Sequence, residues 1–275
     1  MEYERIAVVE DGSIVWQWNA SVFYDAPRDP TKRDWLHIND VNYIGDDRFL
    51  VSVRNANQLL VIERGAGVVE VIINTPAGAT PSKCGAAGER VDYDGDGTVR
   101  CGNPAVLERQ HNLQWLGKGA VLVADSDNNR IVELHRTPNS SWAAVWIVRG
   151  AGNMPFFWPR ETDRLPSGTT LISDTWNQRI LEINASGQVL WSTRTDPQPY
   201  EADRLPAGER VGVPDTMATI RPSSGRRHRT TKAHRSSLHA VVPEYAVLGG
   251  STPSNARSIV LVLVIVGAGF RYRSQ

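Results

Sequence analysis

From the N-terminus to about residue 212, short runs of apolar and β-branched residues alternate with polar turns. Ile14–Trp18, Val68–Ile73, Ala143–Val148 and Gln188–Trp191 read as strands. They are set off by Asp11-Gly12, Gly65-Ala66-Gly67, Gly117-Lys118-Gly119, Ser167-Gly168 and Ser186-Gly187, the residue types that supply the positive φ of tight turns. No helical period persists over ten residues or more, so the pattern predicts an all-β chain.

The pattern also repeats. Gln114–Gly119 followed by Leu122–Leu134 aligns without a gap on Asp163–Gly168 followed by Leu171–Ile183, at an offset of 49. A third opening lies at Asp203–Gly208, and a looser copy at Phe49–Ile62. Self-similarity at this period predicts a β-propeller with one unit per four-stranded blade. The chain shows about four blades plus fragments. Trp16, Trp146 and Trp191, each in a strand that ends a unit, are expected to fill the space between blades.

Charge divides the chain where the repeat ends. Residues 1–212 hold 28 acidic and 21 basic side chains, whereas residues 213–275 hold 2 and 9. All nine Trp precede residue 192. The expected organisation is a propeller region over 1–212, interrupted at 75–108, and a basic low-complexity tail over 213–275. The tail's Arg, Lys and His runs lack interleaved aromatics, which argues against nucleic-acid binding. Its apolar segment, Ile259–Phe270, is too short to span a bilayer unaided. It reads either as a membrane anchor, giving membrane association through this segment, or as a tail without selected structure.

The interruption holds Cys84 and Cys101, which could close a disulfide loop stabilising the fold by roughly 3 kcal/mol or be unrelated thiols. It also holds Asp92, Asp94 and Asp96 around glycines, a spacing that can wrap Ca²⁺ or form a solvated acidic turn. Three sequons, at Asn19, Asn139 and Asn184, together with the cysteine pair, favour an extracytoplasmic or cell-surface location. Residues 1–10 are charged and read as a strand, not as a signal peptide.

Of six histidines, His228, His234 and His239 lie in the tail, and His135 reads as a surface residue. His37 and His111 each open a repeat, where the innermost strand of a propeller begins, and Arg160 takes the place of His111 one unit on. Two imidazoles, a guanidinium and nearby amides suit a tetrahedral oxyanion. A histidine so placed can also attack the central atom and carry the group. Loop histidines and an arginine bonded to neighbouring blades would look the same in sequence.

Trp35-Leu36-His37-Ile38-Asn39-Asp40-Val41, Leu50–Asn55 and Gln110-His111-Asn112 resemble the arylsulfotransferase propeller family, in its archaeal-type branch, over about Glu4 to Gly212. The resemblance implies a six-bladed propeller working outside the cytoplasm. Its activity would be sulfuryl transfer from a phenolic sulfate ester to a phenol, with no required cofactor. It implies His111 as the residue that becomes sulfated and His37 as acid/base. It further implies that His37 and Asn39 hold the sulfuryl group and the bridging oxygen and that Arg54 neutralises the sulfuryl oxygens, while Arg160, by its repeat position and not by the resemblance, is a further cation. The alternative is a truncated or degenerate propeller that binds a ligand or protein partner without catalysis.

Overall fold

Central strands such as Arg48–Val53 and Ala120–Asp125 carry near-continuous apolar runs because both of their faces are covered, while outer strands such as Trp142–Val148 leave several side chains in solvent. The computed structural model describes residues 4–24, 36–73, 105–117 and 119–204, with the backbone of short strands at 240–241, 247–249 and 261–265. Cys84, Cys101, Asp92, Asp94, Asp96, Trp35 and the tail histidines lie outside the described residues. The chain divides into two compact units, Met1–Arg109 with Tyr245–Gln275, and Gln110–Glu244.

The first unit contains β1 (Arg5–Glu10), β2 (Ser13–Asn19), β3 (Ile38–Gly45), β4 (Arg48–Val53), β5 (Gln58–Glu63) and β6 (Gly67–Ile73). Strands β3 to β6 form one antiparallel four-stranded meander. The second unit contains β7 (His111–Gly117), β8 (Ala120–Asp125), β9 (Arg130–Arg136), β10 (Trp142–Val148), β11 (Gly150–Ala151), β12 (Met154–Pro155), β13 (Glu161–Arg164), β14 (Thr170–Asp174), β15 (Arg179–Ile183), β16 (Val189–Arg194), β17 (Glu201–Ala202) and β18 (Ala240–Val241). Within it, β7–β10 and β13–β16 repeat the same meander. A fourth four-stranded sheet joins β1 and β2 to β19 (Val247–Gly249) and β20 (Leu261–Ile265), with β20 antiparallel to β1. Among the described residues the fold is all-β, built from four-stranded propeller-type blades. The only helical pieces there are three-residue 3₁₀ turns.

Part of the apolar tail segment is therefore a strand in a sheet with the N-terminal strand. No helix among the described residues is long and apolar enough to cross a membrane.

The tryptophans sit where the pattern places them. Trp16 of β2 stacks on Phe49 of β4, with centroids 5.2 Å apart and planes 10° from parallel. Trp146 of β10 donates its Nε1–H to the Ala185 carbonyl at 3.2 Å, between the two full blades of the second unit. Trp191 packs against the cluster of Leu165, Leu171, Ile180 and Ala202. The core of the second unit lies between its two blades, with Leu122, Ile131, Ile172 and Leu181 all at 0% exposure.

Candidate active site

Three of the blades begin their first strand with the same backbone irregularity. His37, Arg109 and Trp158 adopt φ of +51°, +41° and +53°, a left-handed conformation that non-glycine residues rarely adopt. Two residues later come Asn39, His111 and Arg160. The strand registers fix this correspondence, since Asn42 pairs with Leu50, Gln114 with Leu122 and Asp163 with Leu171. His111 and Arg160 thus share one blade position, as the gapless offset predicts. His37 does not: Asn39 occupies that place, and His37 stands two residues earlier. Register shifts at Ile38/Asp40 and His111/Leu113 mark a bulge at this position in two of the blades, a device that re-aims a side chain.

In the first unit, His37 and Arg54 are neighbours through their backbones, the Arg54 N–H donating to the His37 carbonyl at 3.3 Å. The buried Glu4 carboxylate accepts the N–H groups of His37 at 3.0 Å and Ile38 at 3.3 Å, which holds the start of β3 in place. The Arg54 guanidinium donates to Asn55 Oδ1 at 3.0 Å. Asn39 lies half-buried between His37 and the buried Asp40.

In the second unit, His111 is buried, with Nδ1 2.8 Å from Ser126 Oγ. The Ser126 hydroxyl has one proton, and the Pro159 carbonyl lies 2.6 Å from it. With that proton given to Pro159, Ser126 Oγ accepts from Nδ1–H, so a neutral His111 ring keeps its lone pair on Nε2. The His111 ring meets Trp158 edge-on at 5.3 Å and Tyr200 at 6.2 Å. The Arg160 guanidinium lies between those same two rings, 4.0 Å from the Trp158 centroid and 4.4 Å from that of Tyr200. Arginine over an aromatic face is attracted to the ring quadrupole. Burial lowers the Arg160 pKa from its ordinary value, and the Tyr200 phenol opposes that shift.

Other polar residues of the repeat hold the blades together. Asn112 Oδ1 accepts the Thr162 N–H at 3.1 Å. The Gln114 amide bonds both backbone groups of Arg164, accepting its N–H at 2.6 Å and donating to its carbonyl at 3.3 Å. These amides therefore seam β7 to β13. His135 is a correction to the surface reading: its side chain is 23% exposed, and its Nε2 lies 2.6 Å from the buried Glu133. Glu133 also pairs with the fully buried Arg164 at 2.9 Å.

Next to the histidine lies a group of rings that the sequence reading missed. Phe157 and Trp176 meet edge to face at 4.7 Å, and Trp176 lies 4.8 Å from Trp158. The signal was present in Phe156-Phe157-Trp158, but only the fold brings it to Trp176. Among the described residues no group of three or more His, Cys, Asp or Glu is arranged to hold a metal ion.

The family model described as Arylsulfotransferase (ASST) matches residues 5–146, just over half the chain, including His37, Asn39, Arg54 and His111. The chain belongs to the arylsulfotransferase family. The match is to that family as a whole and gives no support to the archaeal-type branch in particular. A comparison with curated proteins gives no match. Among solved structures, the chain is similar to the WD40 β-propeller domain of Doa1 at 12% identity, covering 73% of this chain and 51% of that one with a TM-score of 0.44. It is also similar to a streptogramin B lyase at 10% identity, covering 73% and 52%, TM-score 0.42. For virginiamycin B lyase from Staphylococcus aureus the figures are 13% identity, 61% and 44%, TM-score 0.35. The chain spans about half the length of these structures.

Proposed function

We propose that this chain moves a sulfuryl group from a phenolic sulfate ester to a phenol acceptor, with His111 as the nucleophile. The observation that carries the reading is the placed imidazole: Nδ1 lies against Ser126 Oγ, whose own proton goes to Pro159, an arrangement that in the neutral ring puts the lone pair on Nε2. Nε2 attacks sulfur, the S–O(aryl) bond breaks and the electron pair leaves with the phenolate. The departing phenolate takes its proton from surrounding water, which takes one back from the acceptor; the family pattern gives the acid/base role to His37. The acceptor oxygen then attacks sulfur, the N–S bond breaks and His111 is restored. Arg160, against the Trp158 and Tyr200 rings that flank His111, supplies positive charge for the sulfuryl oxygens. The family motif assigns sulfuryl-binding roles to Arg54 and Asn39, which lie in the first unit. Family membership supports sulfuryl-transfer chemistry in general, and the histidine intermediate and residue roles are the reading built on it.

Incubation with p-nitrophenyl sulfate and a phenol acceptor tests it by nitrophenol release. Release by the intact chain, lost in His111→Ala, is the expected result. No release, or equal release by the variant, contradicts the reading and leaves a ligand-binding propeller without catalysis.

A further inference from the structure

Phe157 and Trp176 are 47% and 49% exposed. Neither ring is part of the core, so packing does not account for two large aromatics side by side in solvent. The backbone that carries each ring is nevertheless fixed. The Phe157 N–H donates to Asp174 Oδ1 at 2.8 Å, and the Trp176 N–H donates to the Phe157 carbonyl at 3.0 Å. Asp174 is itself fixed by Asn177 at 2.8 Å and Arg179 at 2.7 Å. Trp158, the ring between this pair and His111, is pinned at three points. Its backbone is left-handed, its N–H donates to Asn129 Oδ1 at 2.8 Å and its indole N–H donates to Asp127 Oδ1 at 2.6 Å.

The blade before this one builds the same loop without the ring pair. Its loop Asp125–Arg130 has the same Asp, Asn and Arg bonds, but Asp127 stands where Trp176 stands one unit later. A bulky aromatic is therefore not needed to build the loop. Trp176 is an addition to it, on the blade whose inner strand is led by Trp158 and Arg160.

We infer that Phe157 and Trp176 form the aryl-binding subsite of this centre. The ring of an aromatic sulfate ester or phenol lies on the two exposed rings, and its anionic substituent turns toward Arg160 and His111. Rigid aromatic faces beside a cation select a ligand that is apolar at one end and negative at the other. The inference rests on the sulfuryl-transfer reading for its choice of ligand, but concerns binding alone.

Calorimetric titration of the full chain with p-nitrophenyl sulfate and with methyl sulfate tests it. The wild type should bind the aryl ester about tenfold tighter than the alkyl ester, the scale of one good ring–ring contact. Trp176→Ala should remove that preference and leave methyl sulfate binding unchanged, whereas Trp176→Phe should retain most of it. Phe157→Ala gives a second reading should Trp176→Ala lose its cooperative melt. Absence of p-nitrophenyl sulfate binding, or an aryl preference that survives both alanine variants, overturns the inference. An aryl preference that follows Trp176 in a chain that releases no nitrophenol would sustain the subsite and reject the transfer reading.

Discussion

At the scale of single residues, the proposed chemistry depends on one imidazole being held in one tautomer. Removing the Ser126 hydroxyl takes away the oxygen that faces Nδ1 at 2.8 Å. Ser126→Ala should therefore lower kcat by about 100-fold, the usual cost of a misplaced reacting group, with KM for p-nitrophenyl sulfate little changed. Ser126→Thr should recover most of the loss, since Thr175 stands at the same place in the following blade. An equal fall for Ala and Thr would mean that packing, not the hydroxyl, matters. Arg160→Leu should cut kcat by about 100- to 1,000-fold, as expected for removal of a preplaced charge. The equivalence of His111 and Arg160 was legible in the sequence because their blades align without a gap. That of Asn39 was not. The blades that carry Asn39 and His111 lie 72 residues apart, with an irregular insertion between them, and only strand register reveals the true partner. The bond from Ser126 to Pro159 crosses 33 residues, so no local spacing announces it.

Among the elements, the blade is the unit that the sequence conveys most clearly. Its strands are short apolar runs bounded by glycine turns, and its repeated Asp, Asn and Arg form the same tie in two loops. Strand β13 carries a feature with a pH consequence. Glu161 is buried, accepts bonds from Ser173 Oγ and the Ala202 N–H, and has Asp163 and Glu201 as neighbours. Burial first, then those like charges, pushes its carboxyl well above the usual range. A carboxyl whose folded pKa is raised binds its proton more tightly in the fold than in the unfolded chain. Stability is then greatest at low pH and falls as pH rises from the ordinary carboxylate value through the raised one. Glu161→Gln should flatten that fall and shift the urea midpoint upward at pH 8 relative to the wild type. An unchanged pH profile in urea titrations would show that Glu161 is not the titrating group. In the neighbouring strand, Ile172→Ala should cost about 2–5 kcal/mol in the same experiment, because Ile172 lies wholly within the inter-blade core.

For the molecule as a whole, the sequence divides at residue 212 by charge, whereas contacts divide the chain into Met1–Arg109 with Tyr245–Gln275, and Gln110–Glu244. A basic composition and a lost repeat gave no reason to pair residues 261–265 with β1. Strand partners so distant in sequence leave no local mark on either segment. Deleting 259–275 should expose the β1 edge that β20 covers. Hydrogen exchange should then show faster amides in Arg5–Val9, while β14 keeps its protection. Unchanged exchange in β1 would contradict the pairing. Whether His111 itself carries the sulfuryl group is read by exposing the full chain to radiosulfur-labelled p-nitrophenyl sulfate without acceptor and mapping the label. The prediction is one equivalent of label on His111, released when a phenol is added. No protein-bound label, or label that persists in His111→Ala, would contradict it.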